Sequence, residues 1–292
     1  MPEPPPRFAT PRTAGRATHG PALAETAGRF GVALLPWQRL VADVGLEHDA
    51  GHLGYRDVVV AVPRQSGKTT LLLAVMVHRM LAAPGRRVAY MAQTRLAARG
   101  KLFDTLWPMV RRSPLGPLFT LTRATGAETL RAANGSILSI LSADEAAGHG
   151  ETFDLSVLDE CWALGAAAEQ AVRPAMVTRP NAQLVMASTA GTERSVFWRS
   201  KVDAGRTAAT LGLPGVAFFE WSAPADADPG DPAVWRACMP ALGHTVDEAT
   251  VQADLAAMAP AEFRRAYLNQ WPDESDAGWR TIDRDAWKAS LL

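Results

Sequence analysis

Cysteine is almost absent from this sequence, since Cys161 and Cys238 are the only two in 292 residues. Two cysteines cannot build a disulfide framework or a four-ligand zinc site. No apolar run reaches the roughly 18 residues that a membrane span needs, and the first residues lack the basic segment followed by an apolar one that marks a signal peptide. We therefore expect a cytoplasmic protein that does not associate with a membrane.

A charge excess of either sign is also missing, because 30 Lys and Arg residues balance 30 Asp and Glu residues. Whole-chain charge therefore does not indicate a nucleic-acid-binding protein. The stretch from Arg86 to Arg131 differs from the rest, since it carries nine basic residues against two acidic ones. A phosphate-attracting surface and a set of solvated helix faces explain this stretch equally well, and both interpretations stay open.

The composition, with 48% hydrophobic and 21% charged residues, is typical of a globular protein. The length suits one large α/β domain with or without a small appendage. Residues 1–28 are rich in proline and small residues and have few large apolar ones, which predicts a flexible tail. From Phe30 onward, short β-branched runs alternate with helical patterns, as in a largely parallel sheet covered by helices.

The pattern predicts seven strands and six helices, and Asn134-Gly135 between two alternating runs predicts a two-residue hairpin turn and one antiparallel excursion. The predicted strands are Asp57–Val62, Arg87–Ala92, Glu128–Ala133, Ser136–Leu141, Phe153–Leu158, Gln183–Ser188 and Val216–Trp221. The predicted helices are Lys68–Leu81, Leu96–Arg111, Ala166–Met176, Ser195–Ala204, Asp247–Met258 and Ala261–Gln270.

Residues 58–70 (VVVAVPRQSGKTT) combine an apolar strand, a short loop and a helix start, the context in which a GK[ST] match predicts a phosphate loop. Loop N–H groups and the helix N-terminus can hold a β-phosphate, Lys68 can reach the β- and γ-phosphates, and the Thr69 hydroxyl can bind Mg²⁺. The match is a deviant one, because Val62 stands where the usual motif opens with glycine. An ordinary helix N-terminus is the alternative.

A second motif lies about ninety residues later, where residues 153–161 (FDLSVLDEC) form an apolar strand that ends in two carboxylates. Ligands of parallel α/β sheets bind at the carboxyl ends of the strands, so Asp159 and Glu160 are expected to face the same crevice as Lys68. Asp159 can then bind Mg²⁺, and Glu160 can polarise the water that attacks the γ-phosphate. A solvated strand end is the alternative.

Together these segments resemble the ATPase half of the large terminase subunits of tailed bacteriophages, the DNA-packaging motor. The resemblance covers nearly everything after the tail. It is carried, in chain order, by residues 36–38 (PWQ), 63–69 (PRQSGKT), 158–160 (LDE), 187–191 (ASTAG) and 263–271 (FRRAYLNQW). The arginine in a glycine-poor phosphate loop and the Leu-Asn-Gln-Trp segment are its specific parts.

The resemblance implies roles for particular residues. Gln38 resembles the glutamine that reads adenine through a donor and an acceptor. Arg64 resembles the loop arginine that contacts the γ-phosphate, where a planar charged fork suits the oxygens. Ser188 and Thr189 resemble the coupling motif that senses loss of that phosphate, although a plain helix N-cap is their alternative. The implied ATP-binding set is Gln38, Arg64, Gln65, Ser66, Gly67, Lys68, Thr69 and Thr70.

Catalysis would then fall to Glu160, Arg64 and Lys68, with Mg²⁺ held by Thr69 and Asp159. A DNA contact is assigned to Arg95, Arg99 and Lys101 in the basic stretch. The trans-acting arginine of many relatives is not identified, since His149-Gly150 stands in the corresponding place. Arg123, Arg131 and Arg173 are the remaining candidates for that role.

The resemblance also implies a fold and partners. We expect a P-loop α/β ATPase of the additional-strand glutamate class, with a tail at 1–28, a core at 29–221 and a helical linker subdomain at 222–292. The expected cofactors are ATP and Mg²⁺. The expected partners are double-stranded DNA, the portal protein, a small terminase subunit and further copies of this chain in a ring. The expected site of action is the host cytoplasm and, transiently, the capsid portal.

Two other functions remain possible at this stage. A nucleic-acid helicase is suggested by Gln38 and by the run Asp159-Glu160-Cys161-Trp162, but such an enzyme needs a second RecA-like domain. A nucleotide-gated scaffold would bind ATP without turnover, and a water-activating Glu160 argues against it. Complete terminases also carry a nuclease with clustered carboxylates. We expect no nuclease activity here, because the acidic residues after 272 (Asp273, Glu274, Asp276, Asp283 and Asp285) look like solvated linker charges.

Overall fold

A computed structural model describes residues 3–124, 128–142, 150–272 and 290. Within these ranges the chain forms strands and helices in alternation. The strands are β1 (Phe8–Ala9), β2 (Ala17–Thr18), β3 (Glu47–Asp49), β4 (His52–Leu53), β5 (Tyr55–Ala61), β6 (Arg87–Met91), β7 (Phe119–Thr122), β8 (Thr129–Ala132), β9 (Ile137–Ile140), β10 (Leu155–Asp159), β11 (Gln183–Ser188) and β12 (Gly215–Glu220).

Ten α-helices accompany these strands in the described ranges. They are α1 (Gly20–Arg29), α2 (Pro36–Gly45), α3 (Lys68–Ala82), α4 (Arg95–Gly100), α5 (Trp107–Arg112), α6 (Ala166–Val172), α7 (Val196–Leu211), α8 (Pro232–Cys238), α9 (Glu248–Ala257) and α10 (Pro260–Tyr267). A π-helical segment, Lys101–Leu106, joins α4 to α5, so the helix predicted from Leu96 to Arg111 is one helix with a π-helical interior. None of the described helices has the length and apolar character needed to cross a bilayer.

The main sheet has nine strands in the order β1-β12-β5-β11-β10-β6-β9-β8-β7. The six strands from β12 to β9 are parallel, and the strands at both edges are antiparallel. β11 lies between β5, which leads into the glycine-lysine loop, and β10, which ends in the two carboxylates. This inserted strand confirms the predicted additional-strand P-loop class.

Helices cover both faces of the sheet because the residues of each central strand alternate between two apolar clusters. In β5, Val58 and Val60 belong to the cluster with α1, α2 and α3, whereas Val59 and Ala61 belong to the cluster with α6 and α7. Strands buried on both faces read as continuous apolar runs, which is why β5 was recognisable in the sequence. A third cluster, around Trp235 and Phe263, joins α8, α9 and α10, and the domain boundary near residue 221 stays a prediction.

The expectation of a flexible tail at 1–28 is wrong for residues 3–28. β1 pairs antiparallel with β12, with Phe8 opposite Glu220, and the N–H of Thr10 donates to the carbonyl of Phe218 at 2.8 Å. α1 follows and buries Leu23 completely. The segment gains its order from main-chain bonds to a strand more than 200 residues away, and composition carries no sign of such a partner.

The antiparallel excursion is confirmed, with two differences. β8 and β9 pair antiparallel, but the turn between them holds three residues, 133–135, and Gly135 adopts a left-handed φ of 84°. The Gly135 N–H donates to the Ala132 carbonyl at 2.9 Å, so a left-handed glycine closes the loop. β7 adds a second antiparallel pair at the sheet edge that the sequence pattern did not predict.

Candidate functional site

The loop between β5 and α3 has an alternating backbone conformation. Gln65 (φ 57°) and Gly67 (φ 90°) are left-handed, whereas Ser66 between them is not. Such alternation turns successive N–H groups toward one concave surface that binds anions. Glycine at 67 also leaves room for Gln38, because a Cβ there would lie 2.8 Å from the Gln38 side-chain nitrogen and would displace it.

Lys68 is the first residue of α3, and its ammonium group is buried. Nζ donates to the hydroxyl of Thr189 at 2.9 Å and to the carbonyl of Pro63 at 3.3 Å. Both acceptors are neutral, and burial is the main cause that lowers the Lys68 pKa, opposed by the charges of Glu160 and Asp159. A buried cation at the positive end of a helix, held by neutral acceptors, fits a site whose ligand is an anion.

Asp159 ends β10 and is almost fully buried. One carboxylate oxygen accepts from the Tyr90 hydroxyl at 3.0 Å, and the other accepts from the Glu160 N–H at 3.0 Å. Burial, followed by the neighbouring Glu160 charge, raises the Asp159 pKa. A nearby cation would offset both effects, so the carboxylate fits a divalent metal.

Glu160 has a left-handed backbone, with φ 54° and ψ 48°. A non-glycine residue in this region is uncommon, and the strain of order 1–3 kcal/mol that it stores is concentrated at functional sites. The carboxylate accepts from the indole N–H of Trp162 at 3.0 Å. The left-handed turn fixes the backbone of Glu160 at the end of β10, and the Trp162 indole holds its carboxylate.

Because β11 is inserted between β5 and β10, its carboxyl end lies between the loop and the acidic pair. Ser188 ends this strand, and its hydroxyl accepts from the main-chain N–H of Trp162 at 3.0 Å. Thr189 follows, fully buried, with its hydroxyl on Lys68. The sequence-predicted residues Lys68, Ser188, Thr189, Asp159 and Glu160 thus share one edge of the sheet.

Trp37 and Gln38 lie against the underside of the loop. The Trp37 indole donates to the Ser66 carbonyl at 3.1 Å, and the Gln38 amide donates to the Gly67 carbonyl at 2.8 Å. The Gln38 side-chain oxygen accepts from the Leu35 N–H, which caps α2. The Gln38 side chain therefore supports the loop by binding main-chain groups, a role that the sequence did not predict. Adenine recognition by Gln38 stays a prediction.

Arg64 lies on the loop with its side chain 43% exposed and forms an ion pair of 3.4 Å with Glu262 of α10. Its main-chain N–H donates to the Ala266 carbonyl of the same helix at 2.8 Å. A guanidinium that shares one exposed carboxylate remains able to exchange that partner for a phosphate. Thr69 and Thr70, in the first turn of α3, are half-buried.

The three predicted DNA-contact residues have different surroundings. Arg95 and Arg99 both pair with the buried carboxylate of Glu128, at 2.6 and 3.6 Å. Lys101 starts the π-helical segment, and its charge lowers the pKa values of both Lys68 and Asp159 as a minor contribution. Two of the three cations are therefore already compensated, and their role in DNA binding stays a prediction.

The candidates for a trans-acting arginine have different surroundings. Arg173 is ion-paired with Asp57 and Glu169. Arg123 is exposed and lies over the Phe103 ring, and Arg131 is exposed on β8. His149 lies outside the described residues, as do the acidic residues after 272 that were expected to be linker charges.

Sequence reasoning missed several residues of the site. Tyr90 binds Asp159, Trp162 binds Glu160, and Arg265 and Asn269 bind the main chain next to Thr189. The last two lie inside the terminase-like segment 263–271, so the resemblance marked the place but not their contacts. For Tyr90 and Trp162, no local pattern distinguishes these side chains from ordinary core aromatics.

A divalent metal fits this site. The described residues contain no group of three or more His, Cys, Asp and Glu side chains that could form a cation cage. Mg²⁺ instead commonly takes one or two protein oxygens together with substrate phosphates. Asp159, a buried carboxylate with a raised pKa, and the Thr69 hydroxyl provide such a pair.

Comparison with known proteins agrees with this geometry. The family model of the terminase large subunit ATPase domain matches residues 36–203. The large terminase of bacteriophage HK97 is similar over 87% of this chain and 55% of its own, at 23% identity and a TM-score of 0.74. The large terminase of a thermophilic bacteriophage, in complex with ADP, is similar over 87% of this chain and 53% of its own, at 11% identity and a TM-score of 0.57.

A third similar structure is the ATPase domain of the Thermus phage P74-26 large terminase, which matches 76% of this chain and 90% of its own at 16% identity and a TM-score of 0.52. A search among curated proteins found no match. This chain spans about half the length of the first two of these terminases. At these identities the likeness to solved structures establishes the fold alone.

Proposed function

This chain belongs to the family of terminase large subunit ATPase domains, and from that premise we propose that it hydrolyses ATP to drive double-stranded DNA into a viral procapsid. The observation that carries the ATPase proposal is the buried Lys68 ammonium. It lies at a helix N-terminus, has only neutral hydrogen-bond acceptors, and is one inserted strand away from two carboxylates. A triphosphate supplies the negative charge that this arrangement lacks.

In the proposed reaction the loop N–H groups and Lys68 bind the β- and γ-phosphates. Arg64 exchanges its exposed ion pair with Glu262 for the γ-phosphate oxygens. Glu160, whose carboxylate is held by the Trp162 indole, orients and deprotonates the attacking water. Thr69 and Asp159 would hold Mg²⁺, which supplies charge neutralisation at the phosphate oxygens.

Coupling is assigned to the end of β11. The Thr189 hydroxyl contacts Lys68, so loss of the γ-phosphate changes the partners available to both groups. Ser188 contacts the main chain of Trp162, whose indole holds Glu160. The strand end is therefore in contact with both the phosphate-binding and the water-activating side of the site.

DNA and protein partners are proposed from the family alone, since this chain spans about half of the full-length relatives. We assign to it double-stranded DNA, the portal protein, a small terminase subunit and a homo-oligomeric ring acting in the host cytoplasm at the capsid portal. A nuclease function is not assigned. The helicase and scaffold alternatives have no structural observation in their favour.

Measuring ATP turnover by the purified chain, with and without duplex DNA, tests the proposal. A packaging ATPase hydrolyses ATP and is stimulated by duplex DNA more than by single strands. Preferential stimulation by single strands would favour the helicase. Tight ATP binding without turnover would favour the scaffold and remove Glu160 from its catalytic role.

The DNA contact needs a designed control, because removing Arg95 and Arg99 takes two ion-pair partners away from the buried Glu128 carboxylate. We compare two variants. The first carries Glu128→Gln alone, and the second combines it with Arg95→Gln, Arg99→Gln and Lys101→Gln. If these cations bind phosphates, the combined variant has weaker DNA affinity for all sequences. Its salt slope then falls by about 0.9 for each lost phosphate contact. Equal DNA affinity of the two variants would mean that residues other than Arg95, Arg99 and Lys101 bind the DNA.

A further inference from the structure

Ala190, the residue after Thr189, has both of its main-chain polar groups bound by side chains from the C-terminal segment. Its N–H donates to the Asn269 side-chain oxygen at 2.5 Å, and its carbonyl accepts from Arg265 at 3.1 Å. Ala190 is buried, so water does not replace these partners. Two side chains 75 and 79 residues away in sequence thus fix one peptide next to the site.

Both side chains are themselves held in place. The Arg265 guanidinium makes a two-point pair with Glu262, at 2.8 and 2.6 Å, and lies 5.1 Å from the centre of the Trp162 ring. Asn269 donates its amide to the Trp221 carbonyl at 2.8 Å and has a left-handed φ of 51°. Each side chain therefore meets Ala190 from a fixed starting point, which is what precise placement requires.

The peptide that they fix determines the position of the Thr189 hydroxyl. Thr189 is fully buried, its own carbonyl accepts from the Trp198 indole at 3.0 Å, and its hydroxyl accepts from Lys68. The main chain is held on the Trp198 side and on the Ala190 side. With the main chain fixed at both points, the Thr189 hydroxyl is directed to the Lys68 ammonium at 2.9 Å.

α10, the helix that contains Arg265, also contacts the phosphate loop on the other side of Lys68. The Ala266 carbonyl of α10 accepts from the Arg64 N–H, and Glu262 pairs with the Arg64 side chain. α10 therefore contacts the phosphate loop through Ala266 and Glu262 and contacts Ala190 through Arg265. Asn269, two residues after the end of α10, adds the second contact to Ala190. α10 spans the two segments whose separation sets the distance from Lys68 to Thr189.

We infer that Arg265 and Asn269 are positioning residues that place the Thr189 hydroxyl against Lys68 and so tune the site for the γ-phosphate. The inference rests on the proposed ATPase function. It assigns to these residues an effect on the γ-phosphate that satisfying two buried main-chain groups would not by itself produce.

The test compares variants matched for backbone and charge. Asn269→Gly removes both side-chain hydrogen bonds but keeps a residue that tolerates positive φ. Arg265→Lys keeps the charge but loses the planar fork. Arg264→Lys is the control, because Arg264 binds the Ala227 carbonyl and the Gln270 side chain and does not contact Ala190. Thermal unfolding of each variant shows that it is folded.

The readouts are kcat and the ratio of the affinities for ATPγS and ADP. We expect Asn269→Gly and Arg265→Lys to lower kcat by about tenfold or more, since misplacing a catalytic group by about 1 Å costs up to about a hundredfold. We expect the affinity ratio to fall with it while ADP affinity holds within about twofold. Arg264→Lys should match the parent. Parent-like kcat and affinity ratio in both test variants would overturn the inference.

A double-mutant cycle with Thr189→Val separates positioning from a general structural role. If Asn269 acts through the Thr189 hydroxyl, Asn269→Gly lowers the affinity ratio much less in the Thr189→Val background than in the parent. Full multiplication of the two effects would overturn the inference. The affinity ratio needs no turnover, so the cycle remains readable if Thr189→Val is inactive.

A variant that does not fold and a parent chain without ATPase activity have different consequences for the inference. If Asn269→Gly does not fold, Arg265→Lys takes its place in the double-mutant cycle, because it loses the planar fork that binds the Ala190 carbonyl. A parent chain that neither binds nor hydrolyses ATP would contradict the proposed function. A parent that hydrolyses ATP alongside test variants that do so equally well would contradict only the positioning role.

Discussion

The two ends of α3 each bury a cation that donates to neutral oxygen acceptors, yet the two cations lie at opposite ends of the helix dipole. At the C-terminal end, the Arg79 guanidinium donates to the main-chain carbonyls of Asp154 and Asn181, at 3.0 and 2.8 Å. At the N-terminal end, Lys68 donates to the Thr189 hydroxyl and the Pro63 carbonyl. Burial lowers the pKa of both groups, that of Arg79 to about 10.

The helix dipole separates these two cases. A positive charge is stabilised at a helix C-terminus and destabilised at an N-terminus, by about 0.3–1 kcal/mol at exposed sites and more when partly buried. Arg79 therefore stabilises the fold where it lies, whereas Lys68 is in a place that suits an anion. Burial of a charged group does not by itself indicate function, but burial against the local field does.

The largest expected effect is that of Lys68→Ala at the N-terminal end of α3. Tight ATP binding or turnover should be lost, because the charge that compensates the β- and γ-phosphates is removed. Unfolding temperature should stay the same or rise, since a buried cation with no direct carboxylate partner has been deleted. Nucleotide titration and thermal unfolding check both parts. Near-normal hydrolysis would remove the phosphate-loop assignment.

Glu160→Gln acts across the same site and should leave ATP binding largely intact. The chemical step should slow by roughly two to four orders of magnitude, which is the usual contribution of a positioned general base. Single-turnover kinetics beside equilibrium binding measure the two quantities separately. Weakened binding with unchanged turnover would mean that Glu160 is not the base.

Arg79→Met should give the opposite result from Lys68→Ala. Two buried carbonyls lose their donor, so the free energy of unfolding should drop by about 2–4 kcal/mol, while kcat per folded molecule stays at the parent value. Denaturant unfolding and turnover at a temperature where both proteins are folded provide the measurement. A variant that keeps its stability but loses turnover would erase the distinction between the two ends of α3.

His78, beside Arg79, makes the structural end sensitive to pH. Burial lowers the His78 pKa to about 4 from an ordinary value of 6.5. Between those two pH values the unfolded chain binds a proton at His78 that the folded chain does not bind. The free energy of unfolding is therefore unaffected by His78 above about pH 6.5 and decreases as the pH falls toward 4. The loss is at most about 3 kcal/mol.

The check is the unfolding free energy of the parent and of His78→Gln across that pH window. The variant should have a flatter profile between pH 6.5 and 4 than the parent. Parallel profiles would assign the pH dependence to other groups.

Much of the fold was predictable because its central strands are buried on both faces. The bounds predicted for β11 match the structure, and those for β6 and α3 differ by one residue. The edge strands were not predictable, since β1 and β7 are short and gain their order from main-chain pairing. Local hydrophobicity does not record which strand a segment will pair with.

The candidate site divides in the same way. The phosphate loop and the acidic strand end were visible because each requires a particular residue order within a few positions. The contacts of Tyr90 and Asn269 were not visible, because each side chain binds a group that is distant along the chain. A side chain that acts through such a contact leaves no spacing pattern in the sequence.

By itself the sequence determined the chemistry, namely a glycine-lysine loop after an apolar strand and a carboxylate pair after another, since these depend on local backbone geometry. The resemblance implied a strand inserted between them, and only the tertiary structure decided that this strand is β11. It also decided that α10 contacts both the loop and Ala190, just after β11. Strand order and helix docking depend on contacts between segments that are distant along the chain, and those contacts exist only once the sheet has formed.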